Sequence, residues 1–507
     1  MMRQSRDLLP IEIVVDDTPV TSHAGVLPYL DLWRRLSMPQ AVDASVSICG
    51  SQGWTDRQMV LSLVLLNLAG GDCITDIDKL EEDLGLCEML RAFERGTWTS
   101  KERKALERRF RSGRTRTFPA ATQISSFLEA CHDESQETFR KPGKAFIPSA
   151  NEALRGLRAL NTTLVSRLQA ADAQTTATLD GDATLVETHT KNALFCYEGY
   201  RAYQPYNVWW AEQQVVLYSE FRDGNVPAGY DVVRVMKEAL ACLPEGVTQV
   251  FTRQDTAAYQ TDFLAWCERE REHPEYGRIL FTISADMSRE LKAAIGGVNE
   301  WTPEMRKVKG RLEPTGREYA EVIFVPGDQA VLSDIREPFV YIALREKLGD
   351  QLSLLETDEA QQTALPFPSM TMNKVRYKVR AIVTNRREEE LGDLIRWHYE
   401  RCGKSEEAHS VMKSDLAGGQ LPSAKFGANA AWWSLMILSM NLQRIMKGVM
   451  GEGWSKRRMK AVRYALINTP GLLVRHARQF CLRVPEAVGR LLADLRARIA
   501  AFKPVWT

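Results

Sequence analysis

The middle of the chain carries an order of strands and helices that restricts the folds open to it. Apolar and alternating runs predict strands at residues 177–187, 206–210, 214–220, 248–253 and 278–283. Helical periodicity falls between the later strands, at residues 231–243 and 256–269. Three successive strands, followed by helix, strand, helix and strand, predict an α/β fold with a mixed sheet.

The regions on either side of this core differ from it in pattern. Residues 1–132 predict several short helices, and β-like runs return at 294–385 before long helices resume at 387. We therefore predict a helical region at 1–132 and a linker at 133–149, followed by the core. The core has two segments, 150–293 and 386–450, and a β-rich insertion at 294–385 lies between them. A helical basic region at 451–507 follows.

Size and composition narrow the class of protein. The 507 residues exceed one hydrophobic core, so about three folding units are expected. The longest apolar runs, at 59–69 and 432–440, are shorter than the roughly 20 residues that cross a bilayer, and the first residues lack a signal-peptide core. We expect a cytoplasmic, nucleoid-associated protein. Nine cysteines without CxxC spacing argue against a zinc ribbon or a disulfide framework.

Basic residues are concentrated near both ends, although the net charge is only +1. Thr99 and Glu102 can form a capping box for a basic helix at 101–116. Such a helix among short helices suits a helix-turn-helix-like DNA reader and equally a helical bundle with a solvated face. The candidate DNA contacts in the two clusters are Lys104, Arg108, Arg109, Arg111, Lys456, Arg457 and Arg458.

Acidic residues lie where a metal site could form. Asp180 and Asp182 lie in the first predicted strand, and Asp255 follows the fourth, where α/β sheets bind ligands. Glu406 and Glu407 lie on a helix after the β-rich segment. Carboxylates converging from these elements suit hard cations such as Mg²⁺, including a two-metal site for phosphoryl transfer. Taken singly, each acid also suits a structural role, and Asp255 suits a helix cap.

The surroundings of Glu406 are more specific. Tyr399, Glu406 and Lys413 are each seven residues apart, which predicts one stripe along a helix, with His409 on the same face. Beside a metal, these side chains could bind the ion and hold a phosphate. An ordinary amphipathic helix also shows polar residues at this spacing.

Four segments resemble the DDE transposases of bacterial insertion sequences, in particular the thirteen-eighty family of the IS4-like group. The resemblance covers roughly residues 176–445. The matching segments are LDGDATLVETHTKNALFCYEGYRAYQPY, SEFRDGNVPAGYD, FTRQDTAAY and YERCGKSEEAHSVMKSDLAGGQLPSAKFGANAAWWSLMILSMNL.

This resemblance assigns the acids. The first acid of the family, in a D-x-T context, corresponds to Asp182, and the second, in R-x-D, corresponds to Asp255. The Y-(2)-R-(3)-E-(6)-K signature corresponds to Tyr399, Glu406 and Lys413, but its arginine position holds Cys402, with Arg401 one residue earlier. Asp180 and Glu407 remain alternatives to Asp182 and Glu406, although the lysine spacing favours Glu406.

The resemblance also implies a mechanism. It implies an RNase H-like core with a β-rich insertion domain, in which Asp182, Asp255 and Glu406 bind Mg²⁺, with Mn²⁺ as a possible substitute. Such an enzyme cuts double-stranded DNA at the inverted repeats of its element, joins the freed 3′-hydroxyls to target DNA and acts as a homodimer. Tyr399, Arg401 and Lys413 would contact phosphates. Two alternatives stay open: an RNase H-like nuclease without strand transfer, and a catalytically silent, transposase-derived DNA-binding protein.

Overall fold

The computed structural model describes residues 18–110, 113–308, 311–330, 337–349, 367–476 and 479–502. Its α-helices are α1 (Leu27–Arg35), α2 (Met38–Ser45), α3 (Asp56–Ala69), α4 (Ile77–Glu82), α5 (Leu84–Thr97), α6 (Ser100–Arg108), α7 (Ala121–Glu129), α8 (Glu152–Ala171), α9 (Val232–Leu240), α10 (Thr261–Glu268), α11 (Arg289–Gly296), α12 (Gly327–Ala330), α13 (Leu391–Tyr399), α14 (Lys404–Ser410), α15 (Phe426–Met450), α16 (Glu452–Ser455), α17 (Met459–Val462) and α18 (Glu486–Ala501).

The strands form three sheets within these residues. They are β1 (Val20–Thr21), β2 (Thr176–Ala183), β3 (Val186–Glu187), β4 (Ala202–Tyr203), β5 (Tyr206–Trp210), β6 (Val215–Glu220), β7 (Gln249–Gln254), β8 (Leu280–Ser284), β9 (Thr302–Val308), β10 (Arg311–Val322), β11 (Val340–Lys347), β12 (Ser369–Met372), β13 (Val375–Thr384), β14 (Gly471–His476) and β15 (Gln479–Arg483).

The largest sheet is mixed and has ten strands. Its order is β6-β5-β2-β7-β8-β13-β11-β10-β9, and β12 pairs with β13. The pairs β2–β7 and β7–β8 are parallel, and the remaining pairs are antiparallel. The predicted α/β fold with a mixed sheet is therefore confirmed.

Two long helices cover the first part of this sheet. Asn151 caps α8 by accepting from the Leu154 backbone N–H at 2.9 Å. The 25-residue helix α15 is apolar on nearly all sides and is buried as a result, with Trp432 and Trp433 at most 1% exposed. Asn441 of α15 donates to the Val216 carbonyl of β6 at 2.8 Å, which holds helix and sheet together.

The β-rich segment continues the same sheet. The last of its long strands, β13, pairs with β8 of the first core segment, and Val383 lies opposite Ile283. Among the residues that the structure describes, the predicted insertion at 294–385 therefore does not form a sheet of its own. After β8 the chain forms the outer strands of the same sheet. It then returns along β13, which lies next to β8, and continues into the helices that follow.

The predicted N-terminal helices are present, with some changes of length. The Thr99–Glu102 capping box is formed, but α6 ends at Arg108, earlier than the predicted helix at 101–116. Within the described ranges, no single helix is long and apolar enough to span a membrane; Asp56–Ala69 and Ile74–Glu82 reach that length and hydropathy only together, across a 95° bend.

The region at 451–507, predicted as helical, contains two strands besides its helices. Strands β14 and β15 form a hairpin in this region, and β1 from the other end of the chain pairs with β14. The sequence of β14, GLLVRH, is only six residues long, and the pattern of so short a segment does not distinguish a strand from a turn of helix. Pairing with β1, more than 400 residues away in sequence, decides its conformation.

The predicted linker at 133–149 is anchored to the core. It contains a 3₁₀-helix at Glu134–Phe139. Arg140 then forms two hydrogen bonds of 2.8 Å with the buried carboxylate of Asp223, which precedes α9. The segment therefore packs against the α/β core instead of crossing solvent as a free connection.

Candidate active site

Asp182 and Asp255 lie side by side at the carboxyl ends of two adjacent parallel strands. The register of β2 and β7 aligns Asp180 with Arg253. Two residues further along, the same register brings Asp182 level with Asp255, which directly follows the end of β7. The carboxyl edge of parallel strands is where α/β proteins bind ligands.

Asp180 and Asp182 have different surroundings although both lie on β2. Asp180 is 3% exposed, and its two carboxylate oxygens each accept a hydrogen bond of 2.7 Å from Arg253. The Arg253 guanidinium also donates to the Trp397 carbonyl at 2.9 Å, which ties β7 to α13. The Asp182 side chain is 25% exposed and has no such partner among the described residues. The geometry therefore favours Asp182 as the reactive acid and gives Asp180 a structural role.

Asp255 also caps a short helix. Its Oδ1 accepts from the Ala257 backbone N–H at 3.0 Å, at the start of the 3₁₀-helix Thr256–Ala258. Asp255 therefore has the helix-capping role that its sequence position allowed. A cap fixes the orientation of the carboxylate and uses one of its oxygens, so it is compatible with cation binding by the other.

The predicted single stripe of Tyr399, Glu406 and Lys413 is wrong. Helix α13 ends at Tyr399, and a new helix begins after Gly403, which has a φ of 81°. Lys413 lies in the π-helical turn Val411–Asp415, which directly continues this second helix with a different residue spacing. Glycine readily adopts positive φ, and Gly403 separates the two helices here. A spacing of seven residues therefore does not mean one face in this segment.

Glu406 has a partner within its own helix. Its Oε2 accepts from the Gly403 backbone N–H at 2.7 Å and so closes the first turn of α14. The charge of Glu406 nevertheless acts on Asp182 and on His409. The charge of Glu407 acts instead on Lys447 of α15. This difference favours Glu406 over Glu407 as the third acid.

The acids repel one another. Burial raises the pKa of Asp182 from 3.8 to about 6, repulsion from Asp255 and Glu406 adds to the increase, and the Arg401 guanidinium opposes it. Burial likewise lowers the pKa of His409 to about 4, with Lys413 and Arg401 contributing. At neutral pH an ionised Asp182 carboxylate thus lies beside a neutral His409 imidazole.

Two cations lie at the edge of this acidic site. Arg401 interacts electrostatically with Asp180 and Asp182, and its buried Nε has no hydrogen-bond partner among the described residues. Lys413 Nζ lies 3.3 Å from the Leu185 carbonyl, in the loop directly after β2. Cys402, at the arginine position of the family signature, is exposed. Of the two candidate positions for the signature arginine, the fold therefore places Arg401 beside the acids.

Tyr399 belongs to a different surface. Its ring lies 5.6 Å from the Arg317 guanidinium of β10, and it lines a depression together with Arg380 of β13. Arg345 and Lys378 line the same depression. Tyr399 thus lies with the cations of the β-rich segment, and its role as a DNA contact stays a prediction.

The basic residues of the N-terminal cluster divide into two groups. Lys104 and Arg108 are exposed on α6. Arg109 donates instead to the carbonyls of Gly50, Gly53 and Trp54 at 2.5–3.0 Å, so its guanidinium holds a loop in place. Arg111 lies outside the described residues.

The C-terminal cluster is attached next to the helix of Glu406. Arg458 donates to the fully buried Asp415 side chain at 3.0 Å and to Ser410 Oγ at 3.1 Å. Lys456 and Arg457 remain exposed, and the Arg457 guanidinium stacks on Trp454 at 4.1 Å. Asp415, which sequence reasoning did not single out, joins the basic segment to the candidate site.

A tight polar packing between the strands fixes Asp182, and sequence reasoning did not find it. Gln254 lies 3.0 Å from the Tyr206 hydroxyl, and both side chains contact the position of Gly181. A Cβ at Gly181 would overlap both side chains. The only sequence indication was a glycine within a strand, which often marks close approach of another group.

Replacement of Gly181 by alanine is therefore expected to destabilise the fold. Displacing Tyr206 and Gln254 costs about 1–3 kcal/mol, as for other overpacked cores. Thermal unfolding of the purified variant measures this loss as a lower midpoint. Gly453→Ala is the matched control, because a Cβ there meets nothing within 4 Å. An unchanged midpoint for Gly181→Ala would contradict the packing described.

The donor set fits a hard divalent cation. Within the residues that the structure describes, no three His, Cys, Asp or Glu side chains form a ready-made metal-binding group. The adjacent carboxylates of Asp182 and Asp255 nevertheless offer the oxygen ligands that such cations prefer. Burial, with repulsion from Asp255 and Glu406, raises the pKa of Asp182, and a bound cation would neutralise this unfavourable negative charge.

Fold and acids together define an α/β protein with an acidic site at the carboxyl edge of its parallel strands. The sequence profile described as "Transposase DDE domain group 1" matches residues 6–294, more than half of the chain, and the chain belongs to this family. The matched region includes Asp182 and Asp255 and ends before Glu406. The resemblance to DDE transposases is confirmed at this level, and DDE transposases generally use divalent metal ions. Membership of the thirteen-eighty family stays a prediction.

Comparison with other proteins adds one distant structure. A cryo-EM structure of a piggyBac transposase synaptic complex with hairpin DNA is similar over 88% of this chain and 80% of that chain, at 11% sequence identity and a TM-score of 0.35. No curated protein matches the sequence.

Proposed function

We propose that this protein is the transposase of an IS4-like bacterial insertion sequence. It binds the terminal inverted repeats of its element, cleaves the DNA at the ends and transfers the 3′-hydroxyl strands into target DNA. The observation that carries the proposal is the placement of Asp182 and Asp255 at the ends of two adjacent parallel strands, in a chain of the DDE transposase family.

We further propose that the core is RNase H-like. The strand order supports this: the first three core strands are antiparallel in the order β6-β5-β2, and β7 and β8 follow in parallel. Residues 150–293 and 386–450 would be the two parts of the core. The β-rich segment at 294–385 would be an insertion between β8 and the helix of Glu406.

The proposed cofactor is Mg²⁺, with Mn²⁺ as a substitute, held by Asp182, Asp255 and Glu406. When bound, the ions would activate water and neutralise charge on the reacting phosphate. Glu406 would bind the ion through Oε1, or through Oε2 after release of the Gly403 N–H to which Oε2 is bonded at 2.7 Å. Because this bond is exposed to water, its exchange for a stronger ionic contact costs little.

Lys413 and Arg401 would hold the phosphate beside the acids, since an ammonium and a guanidinium both donate charge-assisted hydrogen bonds to phosphate oxygens. The exposed Lys456 and Arg457, joined to the site through Arg458 and Asp415, would extend this contact along the DNA backbone. Lys104 and Arg108 on α6 would form a second contact, and Tyr399 with its neighbouring arginines a third. Binding by these cations predicts strong salt dependence. Both ends of the element must be held together, so we expect a homodimer on DNA.

Glutamate replacements test the third acid. Glu406→Gln is expected to reduce Mg²⁺-dependent cleavage of DNA carrying the cognate inverted repeats by at least about 100-fold, because it removes a charged metal ligand. Glu407→Gln, one residue away and also exposed, is the matched control and should stay within about threefold of wild type, as surface substitutions usually do. The reverse order of effects would move the assignment to Glu407.

Strand transfer with pre-cut ends separates the remaining alternatives. A nuclease would cleave the DNA and leave pre-cut ends unjoined. A silent DNA-binding protein would shift the DNA in a gel and produce neither product. Joined products that depend on Asp182 and on a divalent cation support the transposase.

A further inference from the structure

A chain of polar side chains leads from the middle of α15 to Asp182. The Trp433 indole Nε1 donates to Ser219 Oγ at 2.9 Å, and the Ser219 hydroxyl donates to Asn207 Oδ1 at 2.7 Å. Asn207 Nδ2 lies 3.4 Å from His409 Nε2. Asn207 is 3% exposed and Trp433 1%, so these groups are shielded from water.

The donor and acceptor roles in this series of hydrogen bonds follow from the Trp433 indole. An indole N–H can only donate, so Ser219 Oγ accepts from Trp433 and its own hydrogen points to Asn207. Asn207 Oδ1 is then occupied as an acceptor, and its amide N–H faces His409. Nε2 of His409 must accept this hydrogen bond, which leaves the ring hydrogen of the neutral imidazole on Nδ1.

The Nδ1 side of His409 faces Asp182. Asp182 and Asn207 are direct partners in the antiparallel pairing of β2 with β5. Nδ1 lies 4.0 Å from Asp182 Oδ2, about 1 Å longer than a hydrogen bond. A rotation of the Asp182 carboxylate about its Cβ–Cγ bond can close this separation. His409 also lies three residues after Glu406 on α14, so it belongs to the same short helix as the third acid.

We propose that His409 is a positioning residue for the metal site. Its Nδ1–H donates to the Asp182 carboxylate when that carboxylate turns to hold a divalent cation, and Asn207 selects the tautomer that makes this possible. The inference rests on the proposed function of Asp182 as a metal ligand. Ligating groups are oriented by hydrogen bonds from their neighbours, and loss of such a partner lowers metal affinity about 10- to 100-fold.

Mn²⁺ binding to the purified full chain, measured by calorimetry without DNA, tests this role separately from activity. We expect His409→Leu to weaken Mn²⁺ binding about 10- to 100-fold. His409→Asn, whose amide N–H can replace Nδ1–H, should recover most of the affinity. A histidine that served only packing would give the opposite order, because leucine fills more of the buried volume than asparagine.

The tautomer provides a second measurement. ¹⁵N NMR of the metal-free protein should show His409 with its hydrogen on Nδ1, and the signal is assigned by its loss in His409→Asn. Asn207→Leu removes the amide donor and should return the ring to the Nε2–H form that free imidazole side chains prefer. Ser219→Ala, one step further along the chain, should give a mixture of the two forms.

Four outcomes would overturn all or part of the proposal. Equal Mn²⁺ affinity in the wild type and His409→Leu, or an Nε2–H ring in the wild type, rejects the positioning role. Asp182→Asn is the reference variant: loss of Mn²⁺ binding there together with normal binding in His409→Leu rejects only the role of His409. Normal Mn²⁺ binding in Asp182→Asn rejects the proposed metal site itself.

Discussion

The Asp182→Asn variant is expected to bind DNA carrying the inverted repeats as the wild type does and to cleave it about 1,000-fold more slowly or not at all. A bound metal contributes several kcal/mol to stabilising the charge of the reacting phosphate, and each 1.36 kcal/mol is a factor of ten in rate. Asparagine keeps the shape of the side chain and removes the charge that holds the cation. A gel shift and a cleavage assay on the same DNA measure the two properties.

The same variant is expected to be more stable than the wild type when no metal is present. The pKa of Asp182 is about 6 in the folded chain against 3.8 for the ordinary group, so its ionised form destabilises the fold at pH 7 by at most about 3 kcal/mol. Thermal unfolding in a chelator should therefore give a midpoint a few degrees higher for Asp182→Asn. Added Mn²⁺ should raise the midpoint of the wild type and leave that of the variant unchanged.

The pH dependence of this effect has a definite sign. Because the folded pKa of Asp182 is raised, the folded state binds the proton more tightly than the unfolded state does. Its contribution to stability is fully present below about pH 4 and is lost as the pH rises through about 6. The stability advantage of Asp182→Asn should thus be large at pH 7 and small at pH 4. An equal advantage at both pH values would show that charge is not its cause.

Asp180→Asn is expected to have the opposite effect on stability. It breaks a buried ion pair in which both carboxylate oxygens accept from Arg253 at 2.7 Å, and it leaves the guanidinium without its counter-charge. Removal of one partner from a buried pair typically costs about 3–5 kcal/mol. Chemical denaturation followed by circular dichroism measures this loss directly. Asp182→Asn, the same change two residues away on the same strand, is the matched control.

A double variant separates the ion pair from other effects of the substitution. In Asp180→Asn combined with Arg253→Gln no charge is left unpaired, so the loss should be smaller than the sum of the two single losses. Simple additivity would mean that the two side chains do not depend on each other. A stable Asp180→Asn protein that has lost metal binding would instead move the metal-ligand role from Asp182 to Asp180.

These opposite signs explain why the strand carries two aspartates. Asp180 joins β2, β7 and the end of α13 through Arg253, and this places Asp182 and Arg401 next to each other. Asp182 is left with a partial exposure of 25% and with the repulsion of its acidic neighbours. The Asp180 carboxylate thus stabilises the fold, and the Asp182 carboxylate is left able to bind a cation.

Local patterns in the sequence were sufficient for the elements of the core. The strand Tyr206–Trp210 was predicted with its observed bounds, and the Thr99–Glu102 capping box was predicted from four residues. The position of Asp255 at the end of a strand followed in the same way. Periodicity, capping and turn formation depend on residues close together in the chain, so a single sequence contains them.

The tertiary structure decided what depends on distant partners. The choice between Asp180 and Asp182 required Arg253, 73 residues away, and the choice between Glu406 and Glu407 required Asp182 and Lys447. The C-terminal hairpin needed β1 at the other end of the chain, and the break at Gly403 separated residues whose spacing suggested one helix. Sequence fixes which groups can ionise, donate or cap, because those are properties of residue types. Register, burial and ion pairing determine which of those groups remain free to act, and these arise only when segments far apart in the chain are brought together.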